Sequence, residues 1–101
     1  MHDIHTRVEF EWDDTKDEAN RAKHGVSFEQ AKGVFADARA LVFDDSPHSN
    51  PKEKRHRIIG KNSDGLILTV VFTHRGNSVR IISAQVRRKD VKFYEAQESK
   101  S

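Results

Sequence analysis

Between Phe10 and Phe35 the chain reads FEWDDTKDEANRAKHGVSFEQAKGVF, a stretch that carries start and stop signals for two short helices in succession. Asp14 can cap a first helix beginning near Thr15, with Asp17 three residues on in the place a capping box gives to Glu or Gln. Lys23 and His24 suit the negative end of that helix, and Gly25 supplies the left-handed residue that ends it. Ser27 and Gln30 then form a second capping box. Phe28, Ala31, Val34 and Phe35 follow at helical spacing, so the second helix packs on a core.

The first helix lacks such a face. Lys16, Asn20 and Lys23 fall at i, i+4 and i+7, and its apolar residues are only Ala19 and Ala22. That stripe either faces an anion or is a solvated surface, and spacing leaves both readings open. Trp12, just before the capped helix, suits packing against the core as a clamp on the incoming chain, with stacking on a nucleobase as the rival reading.

At 101 residues the expectation is one domain, 1–101, with residues 1–6 and 98–101 as flexible tails. There is no cysteine, which excludes disulfides, thiol nucleophiles and cysteine-based zinc sites. No apolar run approaches the roughly 20 residues that span a bilayer, and MHDIHTRVEF lacks the hydrophobic stretch of a secretory signal, so a soluble cytoplasmic protein is expected. His2 and His5 read as tail residues and not metal ligands. No phosphate-binding loop, serine-hydrolase elbow, zinc-protease helix or dinucleotide fingerprint is present, so neither a cofactor nor a metal is expected. The formal charge of +2 hides segregation: acids dominate Glu9 to Glu18, while Lys and Arg dominate Lys52 to Lys61 and Arg87 to Lys92.

Ala40 to Asp44 reads as a short strand, Asp45 to Glu53 as a polar loop, and Lys54 to Lys61, Leu66 to Thr73 and Val79 to Gln85 as further strands. A two-residue turn at Gly76-Asn77 sets a register in which Arg75 faces Ser78, Thr73 faces Arg80, Phe72 faces Ile81 and Val71 faces Ile82. Thr73, Arg75 and Arg80 then share one sheet face, with Val70, Phe72 and Ile81 on the other. An arginine in such a strand needs an internal carboxylate such as Glu53, or an external anion. A last helix from Arg88 to Gln97 carries Val91 and Tyr94 on a docking face.

The order W-D-x-x-K, then N-x-x-K-H-G-V-x-F, then a strand with R-I-I-S-A resembles the BrnT family of type II toxin–antitoxin toxins. The resemblance runs from Phe10 to Tyr94 through Trp12, Asp13, Lys16, Asn20, Lys23, His24, Gly25, Val26 and Phe28, then Glu53, Arg55, Gly60, Phe72 and Thr73, and Arg80 to Ala84. It implies an α+β, RelE-like fold: a curved antiparallel sheet with two N-terminal helices packed on one face and a C-terminal helix closing an edge. It further implies a ribonuclease that halts translation and is neutralised by a DNA-binding BrnA-like antitoxin. Operator DNA would be met only through that complex. After Ser83-Ala84 the family carries a basic residue and a turn, where this chain reads Gln85-Val86-Arg87-Arg88 and is one residue shorter.

Cutting RNA without a metal needs a base for the 2′-hydroxyl, cations for the phosphorane-like transition state and an acid for the leaving 5′-oxygen. With the resemblance, Arg55 and Arg80 are expected to stabilise the transition state, and Glu53 or His24 to act as base or orient one. Lys16 and Lys23 hold the RNA backbone, with Arg57, Thr73 and Arg75 as further RNA contacts. His24 has a structural alternative in bonding the last carbonyls of its helix. His56 and His74 rank below it as acid–base groups. The same basic face also suits a non-catalytic nucleic-acid or antitoxin-binding module acting in promoter autoregulation.

Overall fold

The computed structural model describes residues 8–100 apart from the side chain of His48. Its elements are β1 (Glu9–Glu11), α1 (Asp14–His24), α2 (Phe28–Lys32), β2 (Leu41–Asp44), β3 (Arg55–Lys61), β4 (Ile67–Arg75), β5 (Ser78–Gln85) and α3 (Arg88–Ser99). The N-terminal tail with His2 and His5, and Ser101, lie outside the described residues. α3 runs to Ser99, two residues beyond the expected end.

The helical punctuation forms much as the residues dictate, with one reassignment. Asp13, not Asp14, has the extended backbone of a cap, and its carboxylate accepts from the Thr15 and Lys16 N–H groups at 2.8 and 3.2 Å. Asp17 is thereby displaced from the capping-box position and serves the next helix, accepting from the Phe28 N–H at 2.8 Å. Gly25 closes α1 at φ 71°, where a side chain would be strained. The Ser27–Gln30 box closes in both directions, at 3.0 and 2.9 Å.

The sheet has five strands in the order β1-β5-β4-β3-β2. It is mixed and not antiparallel throughout, because β1 pairs parallel with β5, Glu9 beside Ser78 and Glu11 beside Arg80. At three residues β1 is too short to show an alternating pattern, which is why the sequence reading misses it. Turn residue Gly76 has φ 58°, and the hairpin register holds from Arg75–Ser78 through Thr73–Arg80 to Phe72–Ile81. There a β-bulge intervenes, and Val71 pairs with Ser83, not Ile82. Ile81 and Ala84 stay in the core, while the consecutive Ile82 and Ser83 both remain half-buried.

α2 and the 3-10 turn after it (Gly33–Ala36) cover the core face, where Phe28, Ala31 and Val34 meet Leu68, Val70, Phe72 and Ile81. Trp12 packs edge-on to Phe28 at 6.1 Å, so it clamps the core and does not wait for a base. Phe35 bridges Phe10 and Phe72 at 5.1 and 5.0 Å. β3 approaches this layer closely: a Cβ on Gly60 would lie 2.6 Å from Val34 Cγ1.

α1 does not simply join α2 on that face. β1 covers β5 only at Ser78–Arg80, and beyond it α1 serves the exposed edge. Asn20 Nδ2 donates to the Ala84 carbonyl at 2.7 Å and the Val26 carbonyl at 2.8 Å, and the Ala84 N–H donates to Asn20 Oδ1 at 3.1 Å. One side-chain amide thus replaces a missing strand partner.

α3 crosses the outer face over β3 and β4, interior strands of the sheet, and so does not close an edge. Thr69 Oγ1 donates to Asp90 at 2.7 Å, and the Tyr94 hydroxyl donates to Asp37 at 2.6 Å. Burial pushes the Tyr94 hydroxyl up, and its hydrogen bond to the Asp37 carboxylate raises it further, to about 12. Burial pushes Asp37 the same way, but hydrogen bonds from Tyr94 and from the Lys61 and Arg39 N–H groups, with the Lys61 charge, outweigh it and hold the carboxyl below its ordinary value.

Candidate nucleic-acid interface

α3 occupies only part of the outer face, and the rest is built from the outward residues of β3, β4 and β5. Glu11, Arg80, Thr73 and Arg55 form one row across four strands, and Ser83, Val71 and Arg57 lie in the next row toward α3. Alternation points the side chains of these rows away from the core.

Arg80 does have an internal carboxylate, but it is Glu11 of β1, at 2.9 Å. The same carboxylate lies 3.8 Å from Arg75, and Glu53 instead holds Arg55 Nε at 2.8 Å. Thr73 is buried and donates its hydroxyl to the Lys54 carbonyl at 2.7 Å, so its polar group is committed to the sheet. Arg57 differs from its neighbours: it makes no ion pair among the described residues, its Nε is buried without a hydrogen-bond partner, and its guanidinium lies 5.3 Å from the Phe43 ring centre. An aromatic face holds a cation in place without neutralising it.

A cavity of about 400 Å³ opens over these rows, lined by Arg55, Arg57 and Arg87 together with Asp45, Ser83 and Gln85. Asp90 holds Arg87 at 3.3 Å. A second cavity of about 230 Å³ is lined by Lys16, Lys23 and His24 of α1. The two share Ile82 and Ser83, the residues the bulge turns outward, so together they form one trough. The stripe on α1 is therefore split: Asn20 is structural, and Lys16 and Lys23 remain exposed beside the trough. His24 is half-buried and makes no side-chain hydrogen bond among the described residues, so it does not bond the last carbonyls of its helix.

The fold thus brings Lys16, Lys23, His24, Arg55 and Arg57 to one trough, with Arg80 in the row beside it. Glu53 and Arg75 lie apart, lining a different cavity at the end of the sheet. One contributor, Glu11, escapes the sequence reading, because it belongs to the strand that reading misses. Arg87, in the segment where the chain departs from the family pattern, continues the outward alternation Ser83, Gln85, Arg87 and so stands near the place of the absent basic residue. His56 sits on the core side of β3, its Nδ1 3.3 Å from Asp44. Among the described residues no group of three His, Cys, Asp or Glu side chains could hold a metal ion. No described helix is long and apolar enough to cross a membrane.

A search of curated proteins returned no match. Among solved structures the chain is similar to the crystal structure of the Brucella abortus ribonuclease toxin BrnT, at 25% identity and TM-score 0.60, over 80% of this chain and 97% of that one. The family model described as the ribonuclease toxin BrnT of type II toxin–antitoxin systems matches residues 12–98, a span that contains every cation of the trough. The chain therefore belongs to the BrnT family of ribonuclease toxins of type II toxin–antitoxin systems.

Proposed function

We propose that this protein is a metal-independent endoribonuclease that binds RNA along the outer-face trough, inhibits translation by cutting it, and is neutralised by a BrnA-like antitoxin that covers the same surface. The observation that carries the reading is the joining of the two cavities at Ile82 and Ser83, which sets α1's Lys16, Lys23 and His24 opposite Arg55, Arg57 and Arg87. The trough gathers cations in preference to carboxylates, which suits a polyanion and a phosphorane-like transition state without a bridging metal.

In this reading a scissile phosphate rests between Arg57 and Arg55, whose planar donors match two phosphate oxygens. Arg80 joins them when the phosphate competes with Glu11 for its guanidinium. His24 takes the 2′-hydroxyl proton or delivers one to the 5′-oxygen, and Lys16 and Lys23 hold the backbone on the α1 side. Glu53 acts through Arg55, which it orients. The 2′-oxygen attacks phosphorus, the bond to the 5′-oxygen breaks, and the products end in a 2′,3′-cyclic phosphate and a 5′-hydroxyl.

The test is incubation of the purified chain with total RNA in EDTA beside Arg57→Ala and His24→Ala, reading fragment size and end chemistry. Cleavage by the wild type, with both variants strongly reduced, supports the assignment; equal cleavage by all three removes these residues from the site. A non-catalytic binding module is the second reading, favoured by the intramolecular glutamates that already hold Arg55 and Arg80. It predicts salt-sensitive RNA binding with no product.

A further inference from the structure

The loop before β3 and the adjoining ends of β3 and β4 enclose another cavity, of about 300 Å³, outside the trough. Lys52, Lys54, Arg75, His56 and His74 line it, and Glu53 is the one carboxylate among the described lining residues. That carboxylate is committed to Arg55 at 2.8 Å. The other counter-charges lie loosely on the cations: Lys54 Nζ is 3.9 Å from Asp44, which sits closer to His56 Nδ1 at 3.3 Å, and Arg75 is 3.8 Å from Glu11. Lys54, Asp44, Arg75 and Glu11 are substantially exposed, and pairs of this kind contribute little and exchange readily. The imidazoles are better fixed, with ring centres 5.3 Å apart and each packed against Phe72.

Arg75 points to the outer face and His74 to the core face, so the cavity wraps the end of the sheet. It overlaps at Thr73 the row that holds Arg55, Thr73 and Arg80, and extends past it to Lys54, His74 and Arg75. A strand leaving the trough past Arg55 meets it next. We infer that this cavity is an anion subsite for an RNA phosphate distant from the bond being cut, taken by Lys52, Lys54 and Arg75 with the imidazoles as further N–H donors. The inference rests on the RNA reading of the trough. An acidic peptide fits the cavity less well, because a peptide anchors through apolar side chains in a dry pocket, and this lining is cationic and polar.

The experiment measures fluorescence anisotropy of labelled oligouridylates of about 3 and about 12 nucleotides, at several salt concentrations. It compares wild type with Lys52→Ala/Lys54→Ala, and with Lys89→Ala/Lys92→Ala as an equal charge loss on α3. The wild type should bind the long RNA more tightly, and the Lys52/Lys54 variant should lose about tenfold on it and nothing on the short one. Its salt slope should fall by about 0.7, the contribution of one neutralised phosphate on a single strand. The Lys89/Lys92 variant should keep the length advantage. Equal loss on both lengths, or the same loss in the Lys89/Lys92 variant, overturns the subsite and leaves the trough intact. Failure of the wild type to bind either RNA overturns the trough reading and the subsite with it.

Discussion

The two faces of the sheet are made from alternating residues of the same strands, yet they are closed in different ways. On the core face Phe28, Val34, Leu68, Val70 and Ile81 are fully or almost fully buried, and apolar area does the holding. On the outer face α3 buries Ile59 and its own Tyr94 but is fastened as well by polar contacts, Thr69 to Asp90 and Tyr94 to Asp37, and beyond it the surface stays open and cationic. One face spends its side chains on stability, and the other keeps Arg57 unneutralised. The comparison teaches that damage to the core face should read out as unfolding, and damage to the open outer face as lost activity with the fold preserved.

Phe28→Ala should break the core face hardest, since Phe28 is completely buried against Trp12 and the sheet, at a cost of about 3–5 kcal/mol in denaturant unfolding. Asn20→Ala should come next, at about 3 kcal/mol. It leaves the Ala84 N–H and C=O and the Val26 carbonyl without their partner, although nothing apolar is lost. On the open side Arg57→Ala should cut RNA cleavage by about 10²-fold, the size of one transition-state donor, with little movement of the denaturation midpoint. A large stability loss in that variant would blur the division between the faces.

Tyr94→Phe should have the smallest effect, about 1.5 kcal/mol, because it removes one hydrogen bond to a carboxylate and keeps the ring. Its sign with pH sharpens the comparison. The folded hydroxyl lies at about 12 against an ordinary 10, so its contribution is complete below pH 10 and lost as pH rises toward 12. Asp37 is depressed, so its contribution is present above the ordinary carboxyl value and lost as pH falls through the lower folded one. The phenylalanine variant should weaken both dependences, as thermal melts across pH would report.

Much of the helical layer is legible locally. The Ser27–Gln30 box, Gly25 at the end of α1 and the spacing of Phe28, Ala31 and Val34 are signals within one turn of the residues they govern. The hairpin register is legible as far as Phe72–Ile81 because a two-residue turn propagates its own pairing, and it fails at the bulge because nothing local announces the extra residue. The trough was legible in part: Lys16, Lys23, His24, Arg55 and Arg57 are nameable from sequence, whereas Arg80's partner is not, since Glu11 lies on a strand of three residues.

By itself, then, the sequence determined which segments are helical, to within one or two residues at their ends, which side of the second helix enters the core, and, through linked motifs from Trp12 to Ala84, which family the chain belongs to. Only the tertiary structure decided that Asn20 is an edge partner for β5 and not an anion ligand, and that Ile82 and Ser83 join two cavities. It also decided that Glu11 holds Arg80 while Arg57 is held by no carboxylate among the described residues. The reason is range: caps and periodicity act over a few residues, but the partner of a buried polar group is set by which distant strand the fold lays beside it.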